Sequence, residues 1–165
     1  MQEKLSVDLQ VFVDAMSRLA NGVNVVTTAG DTGRDGVTVS SACSVTAEPP
    51  SMLACINHEA RAADAIEHSG VLCVNVLSAK QSGISDAFAR RVDGLEDRFS
   101  RGEWGTLETG APVLAGAVAA FDCVVEHAMS KGTHRIFIAR VVAAVYGDEL
   151  PLVYSRRSYG NVSWD

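Results

Sequence analysis

The sequence lacks the signatures of the commonest catalytic and phosphate-binding sites. It has no GxGxxG after a predicted strand and no GxxxxGK[ST], so neither of the two usual nucleotide-phosphate cradles is available. It has no GxSxG motif, which argues against a serine hydrolase. The histidines, His58, His68, His127 and His134, have no metal-ligand spacing. Since no general acid/base pair is evident either, an enzyme of this sequence would rely on a cofactor for its chemistry.

Positive charge and long apolar runs are also scarce. The 14 basic and 20 acidic residues give a net charge of −6 without a basic run, which argues against a nucleic-acid partner. No stretch approaches the roughly 18 apolar residues of a membrane helix, and the segment MQEKLSVDLQ lacks the apolar region of a signal peptide. With 47% hydrophobic and 21% charged residues, we expect one globular domain over 1–165, cytoplasmic and without membrane contact.

The four cysteines do not form a metal or redox pair. Cys43, Cys55, Cys73 and Cys123 are far apart in the chain, with no CxxC, and each lies among apolar neighbours. This pattern predicts buried, reduced thiols. Cys43 is the exception to follow, because it lies in the candidate site described next.

Residue patterning predicts about seven short strands and few helices. The predicted strands are 23–28, 37–45, 51–57, 71–77, 118–127, 134–146 and 150–156, and the predicted helices are 9–20, 59–67 and 78 to about 91. Residues 29–36 read as a hairpin loop, 48–50 as a break in the pairing, 92–112 as a long surface excursion and 129–133 as a turn. These elements predict a mainly β fold, an antiparallel β-barrel with helices packed outside.

The segment TVSSACSVTAEPP, residues 38–50, is unusual for a strand. Thr38, Ser40, Ser41, Ser44 and Thr46 supply five hydroxyl groups on small side chains. Small side chains let a planar ligand approach the backbone, and the hydroxyl and peptide groups can bind a ring edge, a ribityl chain or a phosphate. A flavin needs this combination. The residues alone leave the alternative open that this is an exposed edge strand with ordinary serines and threonines.

Motifs along nearly the whole chain resemble the flavin reductase-like family. In the order in which they occur, they are AMSRLANGVNVVTT, GVTVSSACSVTAEPPSMLACIN, LCVNVLSAKQ, RFSRGEW, GTHRIFIARV and PLVYSRRSYG. Each motif is weak alone, and their shared order is specific. The family includes the reductase component of 4-hydroxyphenylacetate 3-monooxygenase, the flavin reductase of pyrimidine catabolism and a cobalt-corrinoid reductase.

The resemblance implies an FMN-binding split barrel, an antiparallel Greek-key fold that works as a homodimer. It implies hydride transfer from NADH or NADPH to FMN or FAD, with the reduced flavin supplied to a separate monooxygenase. Two alternatives stay open: a flavin-dependent reductase of a cobalt corrinoid in cobalamin synthesis, and a non-catalytic flavin-binding protein. Because the chain lacks a Rossmann motif, the pyridine nucleotide would share the flavin groove.

The resemblance also implies a set of binding residues. The flavin site would comprise Gly36, Val37, Thr38, Val39, Ser40, Ser41, Ala42, Cys43, Ser44, Val45, Thr46, Asn57, Ala60, Arg61, Ala62, Phe88 and Arg98. The strand 36–41 would pass the ring and the turn 42–46 would reach the ribityl and phosphate groups. Asn57 and residues 60–62 would close the phosphate end, although Ala60 and Ala62 stand where many relatives have Ser or Thr. Arg61 could bind phosphate or be a solvated helix-face residue.

The pyridine nucleotide has its own implied contacts. His134, in GTHRIF, matches a histidine that the family places beside the nicotinamide. Arg156, Arg157 and Tyr159 follow the last predicted strand and could meet the phosphates or the ring. The alternatives are a strand-end histidine and an ordinary solvated basic pair.

Overall fold

A computed structural model describes residues 6–89 and 97–164, about half of them in antiparallel strands. The helices are α1 (Leu9–Met16), α2 (Arg61–Ser69) and α3 (Ser82–Phe88), with a 3-10 turn at Arg98–Ser100. The strands are β1 (Asn21–Gly22), β2 (Asn24–Gly30), β3 (Gly33–Val39), β4 (Ala42–Ala47), β5 (Pro50–Asn57), β6 (Val71–Val76), β7 (Trp104–Thr106), β8 (Pro112–Leu114), β9 (Ala119–Lys131), β10 (His134–Tyr146), β11 (Leu152–Ser155) and β12 (Ser158–Asn161). Each helix in these two ranges is too short or too polar to cross a membrane.

The main sheet is a barrel that is open between two strands. Its seven strands run in the order β3-β2-β6-β9-β10-β5-β4, and every neighbouring pair is antiparallel. The two edge strands, β3 and β4, follow one another in the chain with only Ser40 and Ser41 between them. The sheet therefore curls until its edges nearly meet. The prediction of a mainly β, antiparallel barrel with flanking helices is confirmed.

Two apolar clusters fill the inside and one end of the barrel. The first draws side chains from six strands, including Val26, Val39, Ile56, Leu72 and Phe137, all at most 9% exposed. This shared core explains why both edges of the sheet must come together, since each strand contributes apolar side chains to it. The second cluster joins α3 to the 3-10 turn and to β8, and its members are Val23, Val25, Leu77, Ala87, Phe88, Phe99, Leu114 and Leu152.

The region of the hydroxyl-rich segment differs from the prediction in three ways. The predicted strand 37–45 is two strands, because the chain leaves the β2 ladder after Val39 and joins the β5 ladder at Ala42. The predicted loop 29–36 is a tight turn between Gly30 and Gly33, and Gly33 has φ of 96°. Residues 48–50 do not break the pairing. They close a hairpin in which Ala47 pairs with Pro50 and the Thr46 hydroxyl accepts the Glu48 N–H at 3.2 Å.

The predicted helices 9–20 and 78–91 are shorter in the structure. Helix α1 ends at Met16, because the hydroxyl of Ser17 turns back to donate to the Asp14 carbonyl at 2.7 Å. Helix α3 begins at Ser82 rather than at Ser78, whose backbone bridges to Pro151 and donates to Gln81 Oε1. Residues 90–96, including the end predicted for this helix, lie outside the described residues. Helix α2 is close to the prediction and ends at Gly70 in the left-handed conformation.

The remaining strands are longer or more numerous than predicted. Strand β9 ends at Lys131 and strand β10 begins at His134, so the predicted turn 129–133 is reduced to two residues. Strand β12, which pairs with β11, has the sequence SYGN and was missed because it carries no β-branched residue. Part of the predicted surface excursion forms β7 and β8. Buried Asn75 holds β8 to the barrel by accepting from the Leu114 N–H at 2.8 Å.

The thiols follow the prediction only in part. Cys73 and Cys123 are buried, and burial raises the pKa of both, that of Cys123 to about 12. These thiols are inert at neutral pH. Cys55 is only half-buried, and Cys43 is exposed on the edge strand β4. The prediction of burial is therefore wrong for these two residues.

Candidate functional site

The candidate site is a groove along the open edge of β3. Within the described residues β3 pairs only with β2, so its other edge has no strand partner, and the peptide groups of that edge beyond Gly36 can bind a ligand. We call this cleft the β3 groove. Its residues come from β3, α2, α3 and the C-terminal strands: Val23, Asp35, Gly36, Val37, Thr38, Val39, Ser40, Asn57, Glu59, Ala60, Arg61, Ala62, Ser85, Phe88, Ala89, Arg98, Tyr154 and Tyr159.

Gly36 is required where β3 passes over an aromatic ring. A Cβ atom at this position would lie 2.9 Å from Cε1 of Phe88 and 3.2 Å from Cγ2 of Thr27. Phe88 is 1% exposed and packs edge-on against Phe99, with ring centroids 5.0 Å apart. Gly36 and Phe88 were both predicted to bind flavin. The structure places them at the groove, where Phe88 acts as the support beneath β3 rather than as an exposed contact surface.

An ion-pair network lies at the α2 end of the groove. The Asp35 carboxylate accepts from Arg98 Nη2 at 2.5 Å and pairs with Arg61 Nε at 3.5 Å. Arg98 also donates from Nη1 to the Gly36 carbonyl at 2.6 Å and lies over the Phe88 ring. The predicted residues Arg61 and Arg98 are therefore brought together, and Asp35 is the residue that joins them.

The first turn of α2 supplies a site suited to an anion. Ala60 precedes this helix and provides no side-chain cap, so the first N–H groups of α2 have no side-chain acceptor among the described residues. Such groups, with the helix dipole, favour a phosphate. Asn57, at the end of β5, accepts the Glu59 N–H at 2.9 Å and so shapes the turn into the helix. Since residues 60 and 62 are alanines, backbone groups and Arg61 are the donors here.

The hydroxyl-rich segment divides between two surfaces. The Thr38 hydroxyl donates to the Ser85 carbonyl at 2.7 Å, while Ser40 and Ser41 are exposed and make no side-chain hydrogen bond to other described residues. Ser40 lines the β3 groove. Farther along, Ser44, Val45 and Thr46 line a different, apolar face together with residues of β10, Ala42 packs against the core, and Cys43 is exposed opposite Leu53. Roles in flavin binding for residues 42–46 stay a prediction.

His134 lies opposite Asn57. These two residues are directly paired in the β5–β10 ladder, so the histidine is at the same end of the barrel as the first turn of α2. Its ring is exposed, and Nδ1 is 2.9 Å from the Thr133 hydroxyl. A ring fixed through Nδ1 leaves Nε2 free to meet a ligand.

The three predicted nucleotide residues near the C-terminus separate. Tyr159 lines the β3 groove beside Val39 and Ser40, and its hydroxyl donates to Asp86 at 2.7 Å. Arg156 and Arg157 instead lie in the β11–β12 turn against α1. The Arg156 N–H donates to the Ser17 carbonyl, and Arg157 pairs with Asp14 at 2.8 Å. Neither arginine is among the described residues that line the groove.

Several groove residues were missed from the sequence. Asp35 lies in a segment interpreted as a loop, and its position directly before the hydroxyl-rich strand was the one available signal. Ser85 lies outside the quoted motifs, and Tyr154 lies inside PLVYSRRSYG but was not singled out. They reach the groove because α3 and the β11–β12 hairpin pack on either side of it, with Tyr154 and Tyr159 in edge contact at 5.4 Å between ring centroids.

Comparison with known proteins identifies the family. The family model of the flavin reductase like domain matches residues 16–163. An FMN reductase (NADH), RutF, of Yersinia enterocolitica is 43% identical over 156 residues, which are 94% of this chain and 85% of RutF. A crystal structure of a Haemophilus somnus protein is 43% identical, with a TM-score of 0.90 over 94% of this chain and 100% of its own.

A third similarity comes from a protein solved with ligands. The NADH:FAD oxidoreductase SgcE6 of Streptomyces globisporus, in complex with NAD and FAD fragments, is 29% identical, with a TM-score of 0.87 over 97% of this chain and 98% of its own. These matches cover the whole barrel and confirm the resemblance inferred from the ordered motifs. The chain belongs to the flavin reductase-like family.

Proposed function

We propose that this chain, an enzyme of the flavin reductase-like family, transfers hydride from NADH to FMN or FAD and releases the reduced flavin to a separate oxygenase. The observation that carries the proposal is the β3 groove, in which an open strand edge ends at an uncapped helix start with two arginines. The names of RutF and SgcE6 support NADH and flavin as substrates. The four free cysteines fit a reducing, cytoplasmic setting.

The groove fits a flavin by its shape and by its donors. Bound flavin would supply the redox chemistry, accepting at N5 the hydride that leaves C4 of the nicotinamide. The peptide groups of residues 37–40 along the open edge would hold the ring edge, since those of Gly36 are bound to Asp35 and Arg98. The exposed Ser40 hydroxyl would hold part of the ribityl chain. Arg61 and the first N–H groups of α2 would hold the phosphate. These residues would align the flavin ring with the nicotinamide ring. Such alignment lowers the entropic cost of bringing the two reactants together.

An absorbance assay tests this function. Purified protein is mixed with NADH and either FMN or FAD, and the loss of NADH absorbance is followed, with NADPH as the second donor. Rapid oxidation that depends on added flavin is the expected result. A protein that oxidises neither nucleotide with either flavin would exclude a reductase role. Reduction of a cobalt corrinoid in place of free flavin would favour the corrinoid alternative. Oxygenase supply is tested by adding a candidate oxygenase and following its hydroxylated product.

Replacing His134 with alanine is expected to raise the KM for NADH about tenfold, since one hydrogen bond to the nucleotide is lost. The affinity for FMN should stay unchanged, because His134 lies at the rim of the groove and not along β3. Steady-state kinetics with varied NADH measure the first value and flavin fluorescence the second. His127→Ala, on the exposed end of β9, is the matched control. An unchanged KM would remove His134 from the nucleotide site.

We further propose a homodimer formed through the apolar face of β4 and β10. Val45 and Val142 are 47% and 36% exposed there, and Met52 of β5 lies between the two strands. Exposed apolar surface of this kind is typical of an interface. We expect Val142→Asp to convert a dimer into a monomer in light scattering after gel filtration. Thr106→Asp, on β7, adds the same charge elsewhere and should leave the mass unchanged. A dimeric Val142→Asp protein would exclude this face.

A further inference from the structure

The carboxylate of Asp35 is held firmly by one of its oxygens. Its side chain is 12% exposed, and Oδ1 accepts both the Gly36 N–H at 2.7 Å and Arg98 Nη2 at 2.5 Å. Arg98 is itself 14% exposed and is fixed to the Gly36 carbonyl. These contacts hold a negative charge at the α2 end of the β3 groove.

The other oxygen of Asp35 has a looser partner. Oδ2 lies 3.5 Å from Nε of Arg61, whose side chain is 76% exposed. An ion pair with so exposed a partner at this distance is weak, so Arg61 can leave Asp35 for another anion. Arg61 is the first residue of α2, beside the N–H groups that would receive a phosphate. The same guanidinium is therefore within reach of two anions, one built into the protein and one on the ligand.

We propose that Asp35 limits the affinity of the groove for the phosphate of a flavin by competing with that phosphate for Arg61. This inference rests on the proposed function, since it takes the β3 groove as the flavin site. The other charged side chains nearby do not compete for Arg61 in the same way. Arg34 is paired with Asp97 at 3.5 Å, and Asp64 is engaged by Arg135 at 3.1 Å. Glu59 lines the groove but is exposed to solvent.

Limited affinity has a clear use in a reductase that releases its product. A flavin held by two free arginines and a helix start would leave slowly, and release would then limit turnover. Asp35 satisfies Arg98 and partly occupies Arg61. The ring and the ribityl chain, which carry no charge, are untouched by this competition, so the effect is specific to flavins that carry phosphate.

The test compares FMN with riboflavin, which has the same ring without phosphate. Dissociation constants are measured by flavin fluorescence for the wild type and for Asp35→Asn, in which the amide keeps an oxygen for Gly36 and Arg98. We expect the Kd for FMN to fall about tenfold, the effect of one charge pair, and the Kd for riboflavin to stay within about twofold, well below one such pair. Asp148→Asn removes the same charge at an exposed position that does not line the groove and should change neither value.

A second variant shows whether the effect passes through Arg61. In an Arg61→Gln background, Asp35→Asn should no longer tighten FMN by more than about twofold, since coupled residues are not additive. A weaker FMN complex of Asp35→Asn, or equal changes for FMN and riboflavin, would overturn the proposal and assign Asp35 a structural role. Wild-type protein that binds neither FMN nor riboflavin would instead overturn the β3 groove as the flavin site.

Discussion

Replacing Phe88 with alanine is expected to lower the free energy of unfolding by about 3–5 kcal/mol. The Phe88 ring is 1% exposed and contacts two further aromatic rings, Phe99 at 5.0 Å and Trp104 at 5.4 Å between centroids. The substitution leaves a cavity beneath β3 and removes the ring under Arg98. Urea unfolding followed by tryptophan fluorescence measures the loss.

The same variant should lose FMN reduction more than its stability explains. At a temperature where it is still folded, we expect kcat/KM to fall about tenfold or more, because Gly36 and Arg98 lose the surface that positions them. Phe12→Ala is the control: Phe12 is 50% exposed on α1 and makes no part of the groove. A Phe88→Ala protein with wild-type kinetics would show that the groove does not depend on this ring.

Replacing Gly36 with alanine is expected to cost about 1–3 kcal/mol of stability through overpacking. The added Cβ would lie 2.9 Å and 3.1 Å from two carbons of Phe88, closer than atoms in a packed core approach. Either the ring or β3 must move, and β3 is the strand that would hold the flavin ring. We therefore also expect a clear loss of FMN affinity, measured by fluorescence titration.

Gly22→Ala is the matched control for this substitution. Gly22 is also a strand glycine, and a Cβ added there would meet no atom of the described residues within 4 Å beyond its chain neighbours. Stability should therefore be unchanged or slightly higher. A second check uses the double variant Gly36→Ala with Phe88→Leu. If the clash is the cause, the smaller side chain should restore part of the stability, giving a non-additive cycle. Additive losses would contradict the steric explanation.

The fold class could be predicted from the sequence because strand signals dominate it. Runs such as 71–77 and 134–146 are rich in β-branched residues, and Gly70 marks the end of α2 with the one residue type that enters the left-handed conformation freely. The break at Ser40 and Ser41 could not be predicted. Nothing local distinguishes a strand that continues from one that changes its partner, because the change is dictated by closure of the barrel.

The candidate site was predicted in its composition but not in its connections. The family motif selected Gly36, Arg61 and Arg98, which lie up to 62 residues apart in the chain and meet in space. Asp35, which joins the two arginines, was missed because a carboxylate between two glycines has the pattern of a turn. The sequence does not show which arginines line the β3 groove. Arg157, for example, pairs with Asp14 of α1 instead, and only tertiary packing decides this.

The open edge of β3 also bears on how the protein stays dispersed when no ligand is bound. An unpaired strand edge is a template on which a strand of another molecule can add, the first step of aggregation. The outer half of β3 carries the charges of Arg34 and Asp35, which discourage such pairing, while the inner half, Val37 to Val39, carries none. The stretch that we propose for binding a flat ligand is thus the stretch without this protection. Bound flavin would then shield this edge from other molecules, so the rate of aggregation should depend on the flavin concentration.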